Sequence, residues 1–460
     1  MTSCRLSNGS LELPGGLHVS EHPRSPKDAR RMERLKHGSR SVRDVRPRAA
    51  PRQRVRRPAP VLGSIQAGTS DEPTVVLSKR AVDRLSEGHA WIYRSDIAAP
   101  ANLSGGEVVR LADERGWFLG KAFYGSRSQI AVRLLTREDE PVDEQFFVHR
   151  LAQAIELRDV VRPDPERRQA ARLVHGEADL LPGLIVDRYA DCLSMQTLIE
   201  ATDARRELFA SLLERLLAPR AIVERNDVRV RAHEGLEQRK GMLRGENPGP
   251  VEFLEGEVKL VADLLSGQKT GAFLDQAENR IEAGRYAKGR ALDCFTYGGA
   301  FALQLARKAE RVIAVDISEQ AAAQGREVAA RNRVENVEFK VANAFDLLRA
   351  ESEAGARYDT IVLDPPAFAK SKDTIEAALR GYKEINLRAF HLVSPGGVVL
   401  TCSCSFQVDD ATFERTVLQA ASDAKRSVQV IERRGAAKDH PTLLGVPETR
   451  YLKCLILRVL

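Results

Sequence analysis

Hydrophobic positions recur along the chain with two periods, and the change from one to the other marks out its parts. Val75-Val76-Leu77 reads as a strand. Apolar positions at helical spacing, including Ala81, Leu85 and Trp91, predict a helix over 79–94. Strands follow at 107–112, 117–124 and 130–135, with turn signals at Gly105-Gly106 and Glu114-Arg115-Gly116. Short strands at close spacing predict a small β-barrel of about 65 residues. From 141 the pattern changes. Glu144 to Val161 reads as an amphipathic helix closed by Arg162-Pro163. Strands at 172–175, 184–188 and 193–198, a helix at 203–217 and a strand at 221–225 predict an α+β unit, and Gly241 to Pro250 reads as a loop. From about 261 strands and helices alternate, the signature of a doubly wound parallel sheet. Its strands are placed at 291–293, 312–316, 337–341, 360–364 and 398–402, with closing strands at 428–432 and 453–459. The expected division is therefore 1–72, 73–140, 141–260 and 261–460.

Composition adds three things. At 460 residues the chain exceeds one ordinary domain, and its 43% hydrophobic content supports globular cores. No run of 18 apolar residues predicts a membrane span, and Met1-Thr2-Ser3-Cys4-Arg5 begins no secretory signal. Six irregularly spaced cysteines suit a reducing cytoplasm better than a disulfide framework. The net charge of +7 is unevenly spread: residues 1–73 hold 15 of the 71 Lys and Arg but only 7 of the 64 Asp and Glu. The remainder, 56 against 57, is nearly neutral. This leader mixes Arg, Pro, Gly and Ser with few apolar residues, so it is expected to be disordered. It reads either as a polyanion-binding arm or as a solvated leader, with Met32 as a later start. Lys79, Arg80, Arg94 and Lys121 are placed as an RNA-facing surface of the barrel or as an ordinary solvated face.

The chemistry concentrates at predicted strand ends. Ala291-Leu292-Asp293-Cys294-Phe295-Thr296-Tyr297-Gly298-Gly299 followed by a helix and Val312-Ile313-Ala314-Val315-Asp316 reads as a βαβ unit. Its glycine turn lies where open α/β sheets bind ligands, and an acid about 20 residues further on is where ribose hydroxyls are held. G-x-G-x-x-G is not matched, so an adenosine-type cofactor fits better than a dinucleotide; a plain crossover with a tight turn is the alternative. Asp364-Pro365-Pro366-Ala367-Phe368 follows a buried strand. Its two prolines leave a stiff backbone rich in acceptors, the Asp364 carboxylate can accept from a base's amine, and Phe368 can stack on a base. The alternative is an ordinary strand-to-loop turn. The strand before Thr401-Cys402-Ser403-Cys404-Ser405 brings two cysteines to the crevice, as a nucleophile or as inert core. No ligand set for zinc accompanies them, so no metal is expected. Ser266-Gly267-Gln268-Lys269-Thr270-Gly271 enters a helix with Asp275 as its expected N-cap, and the spacing does not fit a P-loop.

Taken together, Gly267-Gln268-Lys269-Thr270-Gly271 with Phe273-Leu274-Asp275-Gln276, Asp293 to Gly299, Asp364-Pro365-Pro366 and Thr401 to Ser405 resemble the RlmI family. These are bacterial 23S (large-subunit) ribosomal RNA cytosine-C5 methyltransferases that use S-adenosylmethionine. The resemblance covers about 73 to 460 and implies a PUA-type RNA-binding barrel, a central α+β domain and a class I, Rossmann-like methyltransferase domain. The basic leader is no part of the pattern, and Asn343 stands where such enzymes commonly carry an acid. The resemblance implies that Asp293, Tyr297, Gly298 and Gly299 hold the methionine part of the cofactor and Asp316 its ribose. Asn343 and Ala344 then lie near adenine, and Lys269 and Phe273 close the site. Asp364, with Pro365, Pro366 and Phe368, would hold the cytosine edge, and Asp364 would also border the cofactor. Cys404 aligns with the cysteine that attacks C6, with Cys402 in reserve. Ribosomal RNA is the implied partner, the cytoplasm the implied location, and a homodimer is allowed. Two other readings stay open: an RNA N-methyltransferase acting on a purine, which needs no cysteine, and a non-catalytic RNA-binding protein with a vestigial pocket.

Overall fold

Three sheets and a hairpin carry the molecule from the amino-terminal side to a seven-stranded sheet at the carboxyl end. The computed structural model describes residues 72–98, 103–162, 164, 166, 168–369 and 372–460. The basic leader, residues 1–71, lies outside the described residues.

The first sheet holds β1 (Thr74–Leu77), β2 (Trp91–Ile92), β3 (Ile97–Ala98), β4 (Val108–Ala112), β5 (Phe118–Tyr124) and β6 (Val132–Thr136), in the order β2-β6-β5-β4-β1-β3. Val75, Leu77, Val109, Leu111, Ala122 and Val132 fill its core. The helix expected over 79–94 is shorter: α1 spans Lys79–Ser86, capped by the Ser78 side chain. Gly88 at φ +100° turns the chain, and Trp91 pairs with Arg133 as a strand residue. Cross-strand pairing here overrides the helical spacing.

The second layer contains α2 (Glu144–Val161), β7 (Ala170–His175), β8 (Leu184–Tyr189), β9 (Cys192–Thr197), α3 (Glu200–Ala204), α4 (Arg206–Leu217), β10 (Ala221–Arg225), α5 (Val230–His233) and β11 (Lys240–Arg244). Asp143 caps α2 by accepting from the Phe146 amide at 3.0 Å. Half of the expected loop at 241–250 is strand: β11 pairs with β10, and 245–249, bent by Gly245 and Gly249 at positive φ, connects it onward. The hairpin of β12 (Pro250–Glu255) and β13 (Val258–Asp263) spans the expected boundary at 260/261. Its Val251, Phe253, Val258 and Leu260 share one core with Tyr189 of β8 and with Phe301, Leu303 and Leu305 further on.

The last sheet uses β14 (Arg290–Cys294), β15 (Arg311–Asp316), β16 (Val337–Val341), β17 (Tyr358–Leu363), β18 (Val393–Ser403), β19 (Val428–Arg434) and β20 (Lys453–Val459). Its order is β16-β15-β14-β17-β18-β20-β19. The first five strands are parallel, and β20 and β19 close it antiparallel. Helices α6 (Ala277–Tyr286), α7 (Ala300–Leu305) and α8 (Glu319–Arg331) cover one face; α9 (Ala344–Glu353), α10 (Ile375–Leu392) and α11 (Asp410–Asp423) cover the other. Strand residues alternate between the two cores, Val312 and Ala314 to one, Ile313 and Val315 to the other, as burial on both faces requires. Strand order runs outward from β14 to β16, then jumps back to β17 beside β14. That reversal opens a crevice at the carboxyl ends of β14 and β17. Among the described residues, no helix is long and apolar enough to cross a membrane.

Candidate active site

A cavity of about 720 Å³ fills this crevice. Its wall includes Lys269, Phe273, Tyr297, Asp316, Asn343, Ala344, Asp364, Pro365, Pro366, Phe368 and Cys404. Eleven of the residues singled out from separate stretches of sequence thus line one space.

At the end of β14 the chain turns through Phe295 (φ +64°), Tyr297 (φ +49°) and Gly299 (φ +81°). Two of these three left-handed positions are aromatic, a costly conformation that persists only where the surroundings impose it. The turn is held by Asp316, which ends β15: its Oδ2 accepts from the Tyr297 amide at 2.8 Å and its Oδ1 from the Ser318 amide at 2.9 Å. Asp316 still faces the cavity, and each carboxylate oxygen keeps a lone pair for a further donor. Gly298 and Gly299 stand behind the wall. A Cβ on Gly299 would meet the Phe339 ring at 2.7 Å, so packing within the protein as well as its positive φ demands glycine there. Asp293 is also behind the wall and fully buried. Its Oδ2 accepts from the Thr296 hydroxyl at 2.5 Å, and the Ala302 amide also stabilises the carboxylate. Burial pushes its carboxyl up to about 7, against the Thr296 hydrogen bond.

Asn343 caps α9, its side-chain oxygen accepting from the Phe345 amide at 2.9 Å. Asn and Asp fill that role alike. Phe295, Phe345 and Phe368 form an aromatic cluster with centroids 5.8–6.4 Å apart. Phe368 also packs on Tyr382 at 4.7 Å.

Asp364 leaves the end of β17, where the Gln276 amide donates to its Oδ1 at 2.7 Å. Burial and the charge of Asp275 push its carboxyl up to about 6. Cys404 follows β18 directly, and its thiol contacts the Pro365 carbonyl at 3.8 Å. Burial and the nearby Asp364 push this thiol up to about 11. Ser405 ties the two loops together, accepting from the Ala369 amide at 3.0 Å and bonding the Tyr382 hydroxyl at 2.9 Å. Cys402 does not share this position. It lies fully buried within β18, opposite Cys454 of β20, and a reserve nucleophile would have to leave the core. Residues two apart on a strand do share a face, but the strand ends between 402 and 404.

Asp275 does not cap α6; that position belongs to Gln276, which makes no side-chain cap bond. Asp275 Oδ2 instead accepts from Lys269 Nζ at 3.0 Å and from the Tyr451 hydroxyl at 2.5 Å. Lys269 lies over the Phe273 ring at 4.3 Å. The loop carrying Lys269 is fixed from the central sheet. Arg225 donates to the carbonyls of Leu264 at 2.8 Å and Gly267 at 2.7 Å, Asp187 accepts from the Thr270 hydroxyl at 2.5 Å, and the Ala272 amide donates to Tyr189 at 2.9 Å. Sequence reasoning assigned no role to Gln276, Tyr451 or Arg225. Gln276 lay inside the quoted motif, but its contact with Asp364 spans 88 residues.

The barrel's basic residues are mostly engaged. Arg80 pairs with Asp96, Arg94 donates to the Ser128 carbonyl at 2.9 Å, and buried Lys121 pairs with Glu72 at 2.8 Å. Lys79 is exposed, with no such bond among the described residues.

Residues 75–137 match the PUA-like domain family and residues 287–439 the methyltransferase domain family. A protein of Tolumonas auensis named ribosomal RNA large subunit methyltransferase I is 40% identical over 395 residues, covering 84% of this chain and 99% of its own. One of the same name from Vibrio cholerae is 38% identical over 397 residues, covering 84% and 100%. Two solved structures share the fold. One, described as a methyltransferase complexed with SAH, has a TM-score of 0.73 at 19% identity, covering 84% of this chain and 100% of that one. The other, from Streptococcus mutans and described as a SAM-dependent methyltransferase, has a TM-score of 0.71 at 20% identity with the same coverage. The molecule is thus an α/β protein with a class I methyltransferase sheet, an amino-terminal PUA-like barrel and a central α+β layer, and the chain belongs to the ribosomal RNA large subunit methyltransferase I family.

Proposed function

We propose that this protein methylates C5 of a cytosine in large-subunit ribosomal RNA, with S-adenosylmethionine as its cofactor and Cys404 as its nucleophile. The observation that carries the reading is that Cys404 and Asp364 open into the same cavity as Asp316, Tyr297 and Asn343. The residues present suit the cofactor: Asp316 offers acceptors for ribose hydroxyls, and the aromatic cluster offers faces for adenine.

S-adenosylmethionine supplies an electrophilic methyl group. The protein's task is to make C5 nucleophilic. The Cys404 thiol gives its proton to water and the thiolate adds to C6, moving the C5–C6 double-bond electrons toward C5 and N3. Asp364, neutral in part because burial raises its carboxyl to about 6, donates its proton toward N3 and stabilises that charge. Once C5 carries the methyl group, water takes the C5 proton, the double bond re-forms as the C6–S bond breaks and returns the thiolate, and N3 gives its proton back to the Asp364 carboxylate.

RNA carrying 5-fluorocytosine at the target should trap the adduct, because fluorine does not leave as a proton does. The adduct should survive denaturing electrophoresis and map to a peptide containing Cys404. Cys404→Ala should abolish both adduct and methyl transfer while S-adenosylmethionine binding persists. Normal methylation by Cys404→Ala would overturn the cytosine-C5 mechanism in favour of N-methylation of a purine.

A further inference from the structure

The mechanism leaves one buried acid of the cavity wall unused. Asp275 is only 4% exposed. Its Oδ2 takes both the Lys269 and Tyr451 bonds, while its Oδ1 is buried with no hydrogen-bond partner. Burial works against its charge, but Lys269 and His440, with the Tyr451 hydrogen bond, hold the carboxyl well below the usual carboxylate range. The free oxygen is therefore a fixed anionic acceptor in a desolvated wall. Such an atom is costly until a donor arrives.

Its surroundings identify the donor. Asp275 precedes Gln276, which holds Asp364. Tyr451 adjoins Leu452, which lines the cavity with Cys404. Cys404 feels the charges of Asp364, Asp275 and Lys269. Asp275 thus stands on the side of the cavity where the reacting base sits. Cytosine presents an amine at C4 and an acceptor at N3; uracil presents a carbonyl at C4 and an N–H at N3. A fixed carboxylate oxygen accepts from the first amine and repels the second carbonyl.

We propose that Asp275 Oδ1 accepts a hydrogen bond from the exocyclic amine of the target base and thereby selects cytosine over uracil. This rests on the cytosine-C5 reading above. Asp364 and Asp275 then divide the base's polar edge, one giving a proton to N3 and the other receiving the amine. Lys269 and Tyr451 act as positioning residues that keep Asp275 charged and oriented.

The test uses the full chain and three RNAs that differ only at the target: cytosine, uracil, or pyrimidin-2-one, which lacks the amine. Asp275→Asn should lower kcat/KM for cytosine roughly ten- to a hundredfold, the scale for a buried charged hydrogen bond. It should change the pyrimidin-2-one rate little, so that the cytosine-to-pyrimidinone ratio collapses and uracil gains relative to cytosine. Tyr451→Phe, which leaves Oδ1 in place, should keep those ratios even where all rates fall. Calorimetry should find S-adenosylmethionine affinity within about twofold of wild type for Asp275→Asn, because the bonds from Arg225, Asp187 and Tyr189 still hold the Lys269 loop. Proportional loss on all three RNAs, or loss of cofactor affinity, would overturn the proposal, the latter assigning Oδ1 to an amine of the cofactor. Should Asp275→Asn fail to fold, wild type on the three RNAs decides: a preference for pyrimidin-2-one equal to or above cytosine in ground-state binding overturns it. Wild type that forms no 5-methylcytosine at all would instead sink the cytosine reading itself.

Discussion

At the residue scale, the site pairs a reluctant nucleophile with a reluctant acid. Cys404 is pushed up to about 11 and Asp364 up to about 6, both first by burial. Catalysis needs the thiolate and the protonated carboxyl together, the minority form of each at neutral pH. Below about 6 Asp364 is protonated and the thiolate fraction rises tenfold per pH unit, so kcat/KM rises with it. Above that value loss of the Asp364 proton cancels the gain in thiolate, and kcat/KM should stay flat until Cys404 itself titrates. Asp364→Asn, which keeps a donor but cannot ionise, should remove the break so that the rate keeps climbing across the neutral range. A pH–rate profile of the two proteins checks this; a variant with an unmoved break would free Asp364 of the role. Residue types pointed to these two groups because Asp-Pro-Pro and Cys-Ser-Cys lie next to strand ends. The separation of Cys402 from Cys404 was not legible: it depends on where β18 stops, and a sequence pattern fixes strand ends poorly.

At the element scale, periodicity located nearly every strand of the carboxyl-terminal sheet because both its faces are buried, leaving apolar runs bounded by turns. It failed where pairing rather than pattern decides. Lys240–Arg244 carries two charges in five residues yet is a strand because β10 offers it an edge, and Trp91 leaves the helical spacing of 79–94 for β2. The same kind of long-range bond fixes the Lys269 loop. Arg225 lies in β10 and is 4% exposed, yet it supplies donors to the Leu264 and Gly267 carbonyls across the layer boundary. Arg225→Ala should leave those carbonyls without their donor and loosen the loop, weakening S-adenosylmethionine binding by about 1–3 kcal/mol. Calorimetry at a temperature where the variant remains folded measures this. Unchanged affinity would mean that Asp187 and Tyr189 suffice to hold the loop.

At the scale of the whole molecule, charge is separated from catalysis along the chain. Beyond residue 73 the protein is nearly neutral, with 56 Lys and Arg against 57 Asp and Glu, and Arg80, Arg94 and Lys121 of the barrel are engaged by internal partners. Residues 1–71 hold 15 Lys and Arg against 6 Asp and Glu. Phosphate contacts release counterions, so each one adds roughly 0.7 to the slope of log affinity against log salt on single-stranded RNA. Deleting residues 1–71, which keeps Glu72 as the partner of Lys121, should therefore flatten that slope by several units and weaken binding alike for every RNA sequence. Base discrimination should survive, because the cavity wall draws all its residues from 268 onward. Titrations of full-length and shortened protein against target and scrambled RNA over a range of salt separate the two effects. Equal slopes would show that the leader does not touch RNA, and the neutral body would then have to bind it by shape and by the base-reading cavity.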